Sequence, residues 1–448
     1  MNWLSKIEDA GVVGAGGAGF PTHVKLNTHQ QTLIVNGIEC EPLLATDKYL
    51  MRTYAKEMIE TVEFLKSELG ASRAVIGIKD KNTNEIKTLQ RAIDEMESSV
   101  EIIKIQNYYP AGDEHILVKE VTGRSIPPGG IPLDVGAVVI NVATLLDTSH
   151  AMKDKPVTHR VVTVTGAVRN PVLVKVPIGT SLAECIEVAG GAQLKTYKVL
   201  IGGPIMGGIC EQEDTEITSI TKTTNGLIVV ESDCYLVTMK QLPMDFIIRR
   251  TESACIQCQM CTDLCPRFLN GHPLYPHQVM RAIGTHSPDV SILKSALLCC
   301  ECGVCELYAC PMGLSPKTVN QHVKKVLGSQ GIRINKAEYT QCEAHEMMPF
   351  RKIHTTRIMA RVDLLKYEGI HIEALIEHKP QQVTIPLKQH LGQAAKPIIE
   401  TGTLVVEGMC IAKMESSVLG AAVHASISGR ATVMDWAIRI DSEEVQYG

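Results

Sequence analysis

CIQCQMCTDLCP, residues 255–266, and CCECGVCELYACP, residues 299–311, are the two stretches around which the chain is read. The first sets thiols at Cys255, Cys258, Cys261 and Cys265, followed by Pro266. This is the C-x2-C-x2-C-x3-C-P spacing that holds a [4Fe–4S] cluster, because a tight loop supplies three thiolates and the following helix a fourth. The second sets Cys299, Cys302, Cys305 and Cys310 before Pro311, its last gap one residue longer. In two-cluster ferredoxins the fourth thiol ligates the other cluster, so Cys265 is expected to reach the second cluster and Cys310 the first. Cys300 beside Cys299 is a second candidate, but only Cys299 keeps the x2 spacing to Cys302. Structural zinc takes two thiol pairs with a spacer between them. Disulfide frameworks belong to small secreted chains. Neither fits four thiols in one run in a chain of 448 residues.

That length predicts three or more domains. Apolar residues make up 45% of the chain, enough for real cores, while aromatics make up only 4%. With 44 basic and 49 acidic residues the net charge is −5, which gives nucleic-acid binding no electrostatic support. No apolar run reaches the ~18 residues of a membrane span. The N-terminal MNWLSKIEDAG has neither the cationic nor the apolar region of a secretory signal, so the reading is a cytoplasmic protein. The seven remaining cysteines are scattered, as reduced thiols are. Arg249 and Arg250 read as a solvated pair.

Upstream of the thiols, residues 1–155 read as an α/β domain. A helix over 3–9 precedes strand-like runs at 31–35, 74–78, 100–105 and 136–141, with helical stretches at 46–69, 84–97 and 142–152. Strands alternating with helices predict a parallel sheet. GAGGAGF places Gly14, Gly16 and Gly19 in a G-x-G-x-x-G pattern, which lets backbone N–H groups approach a phosphate. Pro21 suits the first helical position. The pattern alone is equally a glycine-rich turn, since helix rather than strand precedes it.

Four segments in order carry a resemblance. GAGGAGFPTHVKL (14–26), NGIECEP (36–42), YPAGDE (109–114) and NVATL (141–145) resemble the flavin site of the NADH-oxidising flavoprotein subunit of complex I and of the C subunit of the Rnf complex. The resemblance implies a Rossmann-like domain binding FMN, with NADH as electron donor. Gly14, Gly16, Gly19 and Lys25 would hold the FMN phosphate and ribityl chain. Asn36, Glu39, Asn141 and Thr144 would hydrogen-bond the flavin. Phe20 would stack on the nicotinamide nucleotide, with Glu41 and Glu114 nearby, and Tyr109, Gly112 and Asp113 would complete the cofactor loop. Ile38, Asp113 and His23 depart from the family's Asp, Glu and Gly.

Residues 156–240 resemble the β-grasp, soluble-ligand-binding domain of the same relatives, with Ser181 and Glu184 as a capping box. Residues 241–330 form the helical two-[4Fe–4S] ferredoxin-like domain, and 331–378 a charged helical connector. Residues 379–448 resemble the barrel-sandwich domain of the Rnf C subunit, there at the N-terminus and here at the C-terminus. Lys413-Met414 evokes a carrier lysine but lacks the usual Met-Lys-Met. This permuted order, with the paired cysteine runs, is similar to the cobalamin reductases of the propanediol-utilisation bacterial microcompartment. That family implies NADH-fed, one-electron reduction of cobalamin from cob(III)alamin through cob(II)alamin to cob(I)alamin. An adenosyltransferase and shell proteins would be its partners, inside a microcompartment. Two alternatives compete: an electron-input subunit of an Rnf-type membrane complex, and a non-enzymatic binding module. No catalytic acid or base is nominated, since the flavin is the reactive centre.

Overall fold

The computed structural model describes residues 2–286, 289–339, 342–415 and 418–443. In the N-terminal unit, four short runs rich in Val and Ile form a parallel sheet in the order Glu101–Ile105, Arg73–Lys79, Thr32–Gly37, Ala137–Asn141. Such strands are buried on both faces, which is why they read as continuous apolar runs. One face packs on Ala55–Glu68 and Val142–Met152 through Ile59, Val62 and Leu145, the other on Glu114–Thr122 through Leu117 and Val121. The helix expected over 46–69 is two, Thr46–Thr53 and Ala55–Glu68, because Tyr54 leaves helical geometry at φ −116°, ψ 25°. The break lets the first helix turn Asp47 inward against Asn141 at the end of the strand Ala137–Asn141.

The next unit is an antiparallel-rich sheet of six strands. Its edge strand, Leu375–Glu377, comes from the connector and runs parallel to Val172–Pro177. Ser181 caps the helix Leu182–Val188 through its Oγ, which accepts from the Glu184 amide at 3.2 Å. The expected capping box is half-made: the Glu184 carboxylate lies 3.7 Å from His378 instead of turning back on the cap.

Helices Met244–Ala254, Pro276–Gly284 and Pro316–Ser329 pack through Ile247, Val279, Val319 and Val323 to frame the cysteine loops. The connector is less helical than its charge pattern suggests. Among its described residues it holds one α-helix, Thr355–Arg361, and otherwise runs extended or in short 3₁₀ turns. Its apolar residues do not repeat along a face. They serve instead as separate anchors, with Ile353, Ile358, Met359 and Val362 buried against the β-grasp sheet and the cysteine loops. The strand Ile353–His354 pairs antiparallel with Tyr108–Tyr109 of the first unit.

The C-terminal unit is two small sheets, one built on Gln382–Pro386, Gly429–Val433 and Ala437–Ser442, the other on Cys410–Lys413 and Val423–His424. It docks on the first unit. Leu391 N donates to Gly19 O at 3.1 Å. The buried Lys222 ammonium donates to Gly11 O and Ala422 O at 2.7 and 2.6 Å, joining three units at one point. Lys413 ends a strand paired with Lys396, not the tip of a hairpin.

Candidate flavin cleft and paired thiol sites

The glycine loop is pinned at its base. Val13 and Pro21 form an isolated antiparallel bridge, and Gly14 N donates to Phe20 O at 2.9 Å. Gly19 sits at φ +71°, a conformation glycine adopts without cost. Pro21 lies at the N-cap rather than the first helical position, and the helix it opens, Thr22–Leu26, is five residues long. Gly16, Gly17 and Ala18 are exposed at the loop's tip, and Phe20 is half-buried. A Cβ at Gly16 would stand 3.0 Å from the Asn141 side-chain amide; at Gly17 it would meet nothing within 4 Å. The loop thus lies against Asn141 on one side and is open on the other.

The residues named with it converge on the carboxyl ends of the strands. Thr144 Oγ1 accepts from Ala15 N at 2.9 Å, holding the loop to the helix Val142–Met152. Asn141 caps that helix through the Ala143 amide and donates to Asp47 Oδ2 at 3.2 Å. Asn36 ties its strand to the next loop, donating to Gly112 O at 2.9 Å. A Cβ at Gly112 would stand 2.6 Å from Ile38 O, so only glycine fits this close approach. Lys25 pairs with Glu114 at 2.5 Å. Asp113 caps the helix Glu114–Thr122 through two backbone amides; its shorter side chain suits that role better than the Glu of relatives. Ile38, in place of an Asp, is a core residue at 4% exposure. His23 is half-buried and lies 3.8 Å from Glu8.

Glu41 is turned away from the glycine loop. Its two carboxylate oxygens accept from the Ile205 and Met206 amides at 2.7 and 2.8 Å, clamping the glycine-rich loop 201–208 of the second unit. Glu39 Oε1 accepts from the Glu41 amide, while Glu39 Oε2 and Asp47 Oδ1 are buried without a partner. Burial, and then the facing carboxylates Asp47 and Glu41, push Glu39 well above the usual carboxylate range. Burial lifts Asp47 to about 6. Orphaned buried acceptors of this kind are costly unless a ligand meets them. With an open glycine cradle and a cation at Lys25, they are the features an FMN site needs, and the residues present fit that group. Asp47 was not foreseen from the sequence; it lies in a helix, and only the fold brings it to Asn141.

The thiols gather in two sets. Cys255, Cys258, Cys261 and Cys310 surround one small void. Cys265, Cys299, Cys300, Cys302 and Cys305 surround another. Each loop repeats one backbone device: left-handed residues at Gln257 and Gln259 in the first, at Glu301 and Gly303 in the second. In both, a group two residues on donates to the leading sulfur, Gln257 Nε2 to Cys255 Sγ and Glu301 N to Cys299 Sγ. The repeat makes Cys299, not Cys300, the counterpart of Cys255. The extra residue before Cys310 is absorbed in a π-helical turn, Cys305–Ala309, the usual way a helix accommodates an insertion. Four thiols about the first void, and four about the second with Cys300 as a fifth beside them, are the donor chemistry of a [4Fe–4S] cluster.

The two regions touch. Tyr109, 2% exposed, donates its hydroxyl to Cys302 O at 2.7 Å. Asp113 pairs with Arg267, two residues after Cys265, at 2.9 Å. The second thiol set therefore backs directly on the loop 109–114, whereas Cys258 of the first set is exposed.

Family models match along the chain: a Nuo51 FMN-binding domain over residues 7–150, an SLBB domain over 161–207, a 4Fe–4S dicluster domain over 254–315 and an RnfC barrel sandwich hybrid domain over 370–445. Cobalamin reductase PduS of Salmonella typhimurium is 39% identical over 429 residues, 95% of this chain and 92% of that protein. PduS of Citrobacter freundii is 38% identical over 95% of this chain and 92% of that one. The C subunit of the proton-translocating ferredoxin:NAD(+) oxidoreductase complex of Clostridium ljungdahlii is 34% identical over 60% of this chain and 56% of that protein. Among solved structures, an NAD+-reducing [NiFe]-hydrogenase in the H2-reduced state shares the fold at a TM-score of 0.50 and 19% identity, covering 74% of this chain and 63% of that one. Among the described residues no helix is long and apolar enough to cross a membrane.

Proposed function

The chain belongs to the PduS family of cobalamin reductases, and from that premise we propose that it carries electrons from NADH to cobalamin, reducing cob(III)alamin through cob(II)alamin to cob(I)alamin. Bound FMN supplies two-electron acceptance and one-electron release, and bound [4Fe–4S] clusters supply one-electron relay.

The chain's own part is positioning. Gly14, Gly16, Gly19 and Lys25 would hold the flavin phosphate end; Asn36, Glu39, Asn141 and Thr144 would hydrogen-bond the flavin; Phe20 and Glu114 would meet the nicotinamide nucleotide. Tyr109, Gly112 and Asp113 would lie between the flavin and the second thiol set, which Tyr109 and Asp113 touch through Cys302 and Arg267. Cys255, Cys258, Cys261 and Cys310 hold one cluster; Cys265, Cys299, Cys302 and Cys305 hold the other. The observation that carries this reading is the Tyr109 hydroxyl on the Cys302 carbonyl. It supports the reading because it ties the second thiol set to the loop 109–114, while Cys258 of the first set is exposed. We further propose, on the family likeness, that an adenosyltransferase takes up the product and that the protein works among microcompartment shell proteins.

Anaerobic purification with flavin, iron and sulfide counts, followed by NADH-dependent trapping of cob(I)alamin with an alkylating agent, tests the proposal. Flavin with about eight irons per chain and trapped alkylcobalamin are expected. A flavin-free protein, or one that oxidises NADH with an artificial acceptor yet never yields alkylcobalamin, refutes it.

A further inference from the structure

A cavity of about 410 Å³ opens beside the loop 39–45, and no residue of the glycine loop lines it. It lies where the first unit, the β-grasp unit (Thr165) and the connector (Tyr367, Ile372) meet. Its volume is in the ~300–1,000 Å³ range of small-molecule sites.

Three lysines face it. Lys79 is 4% exposed and makes one hydrogen bond, to Glu39 O at 2.7 Å. Lys48 is half-buried and Lys81 exposed at the mouth. Burial first, and the neighbouring lysines with it, lower the pKa of both Lys48 and Lys79. All three line the one cavity, and among the described residues none of them takes part in an ion pair. The wall beside them is the start of the helix Thr83–Glu95, whose N-cap Asn82 makes no side-chain capping bond. Its first amides and the positive end of its dipole are presented to the same space. The acids at the cavity are engaged elsewhere or lie at its edge. Glu85 pairs with Arg52, Glu41 holds the amides of loop 201–208, Glu368 meets Thr356, and Glu373 is exposed. Glu39 accepts from the Glu41 amide through Oε1, and burial raises its pKa well above the ordinary carboxylate value.

We propose that this cavity is a second phosphate site, separate from the flavin phosphate loop. It takes a phosphate ester whose oxygens lie between Lys48, Lys79, Lys81 and the amides of the helix Thr83–Glu95. Two molecules of the proposed reaction carry such a group: the adenosine diphosphate half of NADH and the phosphodiester of the nucleotide loop of cobalamin. The site itself rests only on the cavity and its lysines; the choice of these two candidates rests on the reductase reading.

The test is equilibrium binding to the anaerobic holoprotein and to a Lys48→Ala/Lys81→Ala variant, with four probes: ADP, inorganic pyrophosphate, cobalamin and cobinamide, the corrin without its nucleotide loop. Flavin and iron counts serve as the folding control. At least tenfold weaker binding of ADP or pyrophosphate in the variant, with cobinamide unchanged, assigns the dinucleotide. The same loss for cobalamin alone assigns the corrin nucleotide loop. Equal affinities in variant and parent for all four probes overturn the proposal, as does a parent that binds none, or a cobinamide loss as large as the cobalamin loss. Lys81→Glu, a change at an exposed position, repeats the measurement should the double variant lose cofactor. No turnover enters the readout, so a protein that fails to reduce cobalamin can still bind ADP here, and the two failures remain distinct.

Discussion

Replacing Glu41 by Gln separates two roles for one carboxylate. In the structure its oxygens accept from the Ile205 and Met206 amides at 2.7 and 2.8 Å, and Gly203 lies so close that an added Cβ would stand 2.4 Å from Glu41 Cγ. The amide of Gln offers one acceptor; its NH2 group would confront the second backbone N–H. One hydrogen bond to a charged group is lost, about 1.5–3 kcal/mol, and because Glu41 is half-buried the lower part, about 1.5–2 kcal/mol, applies. At 1.4 kcal/mol per tenfold, local opening of loop 201–208 should rise about 10–30-fold. Hydrogen exchange followed by mass spectrometry, on a peptide spanning 203–208, measures it directly, with flavin content as the control. Unchanged exchange at those amides, together with a raised KM for NADH, would refute the clamp and place Glu41 at the nicotinamide nucleotide, as the sequence resemblance alone implies.

Cys310→Ala should abolish the same cluster signal in low-temperature EPR as Cys258→Ala, while Cys265→Ala removes the other; a pairing that followed chain order would reverse this. Gly16→Val should lower flavin occupancy at least tenfold with iron unchanged, because its side chain must enter a space 3.0 Å from the Asn141 amide; full flavin in that variant would contradict the cradle. Burial lowers His424 to about 3, well below the ordinary value of 6.5. With the folded pKa depressed, its contribution to stability is fully present above pH 6.5 and is lost as pH falls toward 3. One pKa unit corresponds to 1.36 kcal/mol, and because the unfolded histidine is only half protonated at pH 6.5, the step from pH 6.5 to 5 should cost about 1.6 kcal/mol of stability at the barrel contact. Thermal melts of the parent should show this slope, and His424→Gln should flatten it.

The sequence discloses most where chemistry and chain order coincide. The thiol spacing and the prolines after Cys265 and Cys310 mark both cysteine loops, and the apolar strand runs mark the parallel sheet, because the residues concerned are near one another in the chain. It is silent where partners come from distant segments. Nothing around Glu41 signals the amides of Ile205 and Met206, since a backbone donor has no sequence identity. The Tyr109–Cys302 bond spans two units and leaves no periodic trace. The connector misleads for a related reason: its charged residues favour a helical reading, but its buried residues are docking points spaced by the surfaces they meet. The π-helical turn at Cys305–Ala309 was visible only as an unexplained extra residue.

The docking of the C-terminal unit bears on how such a chain can be rearranged. Its residues Leu391 and Ala422 meet Gly19 and Gly11, near the very beginning of the chain. The module at one end of the sequence therefore packs on the segment at the other. Moving it from the front, as in Rnf-type subunits, to the back keeps this contact within reach when a tether spans the rest of the chain. That tether is the segment 331–378, which lends an edge strand to one unit and a two-residue strand to another. A circular permutant that opens the chain within residues 331–378 and joins residue 443 to residue 2 should thus retain the barrel contact but forfeit those borrowed strands.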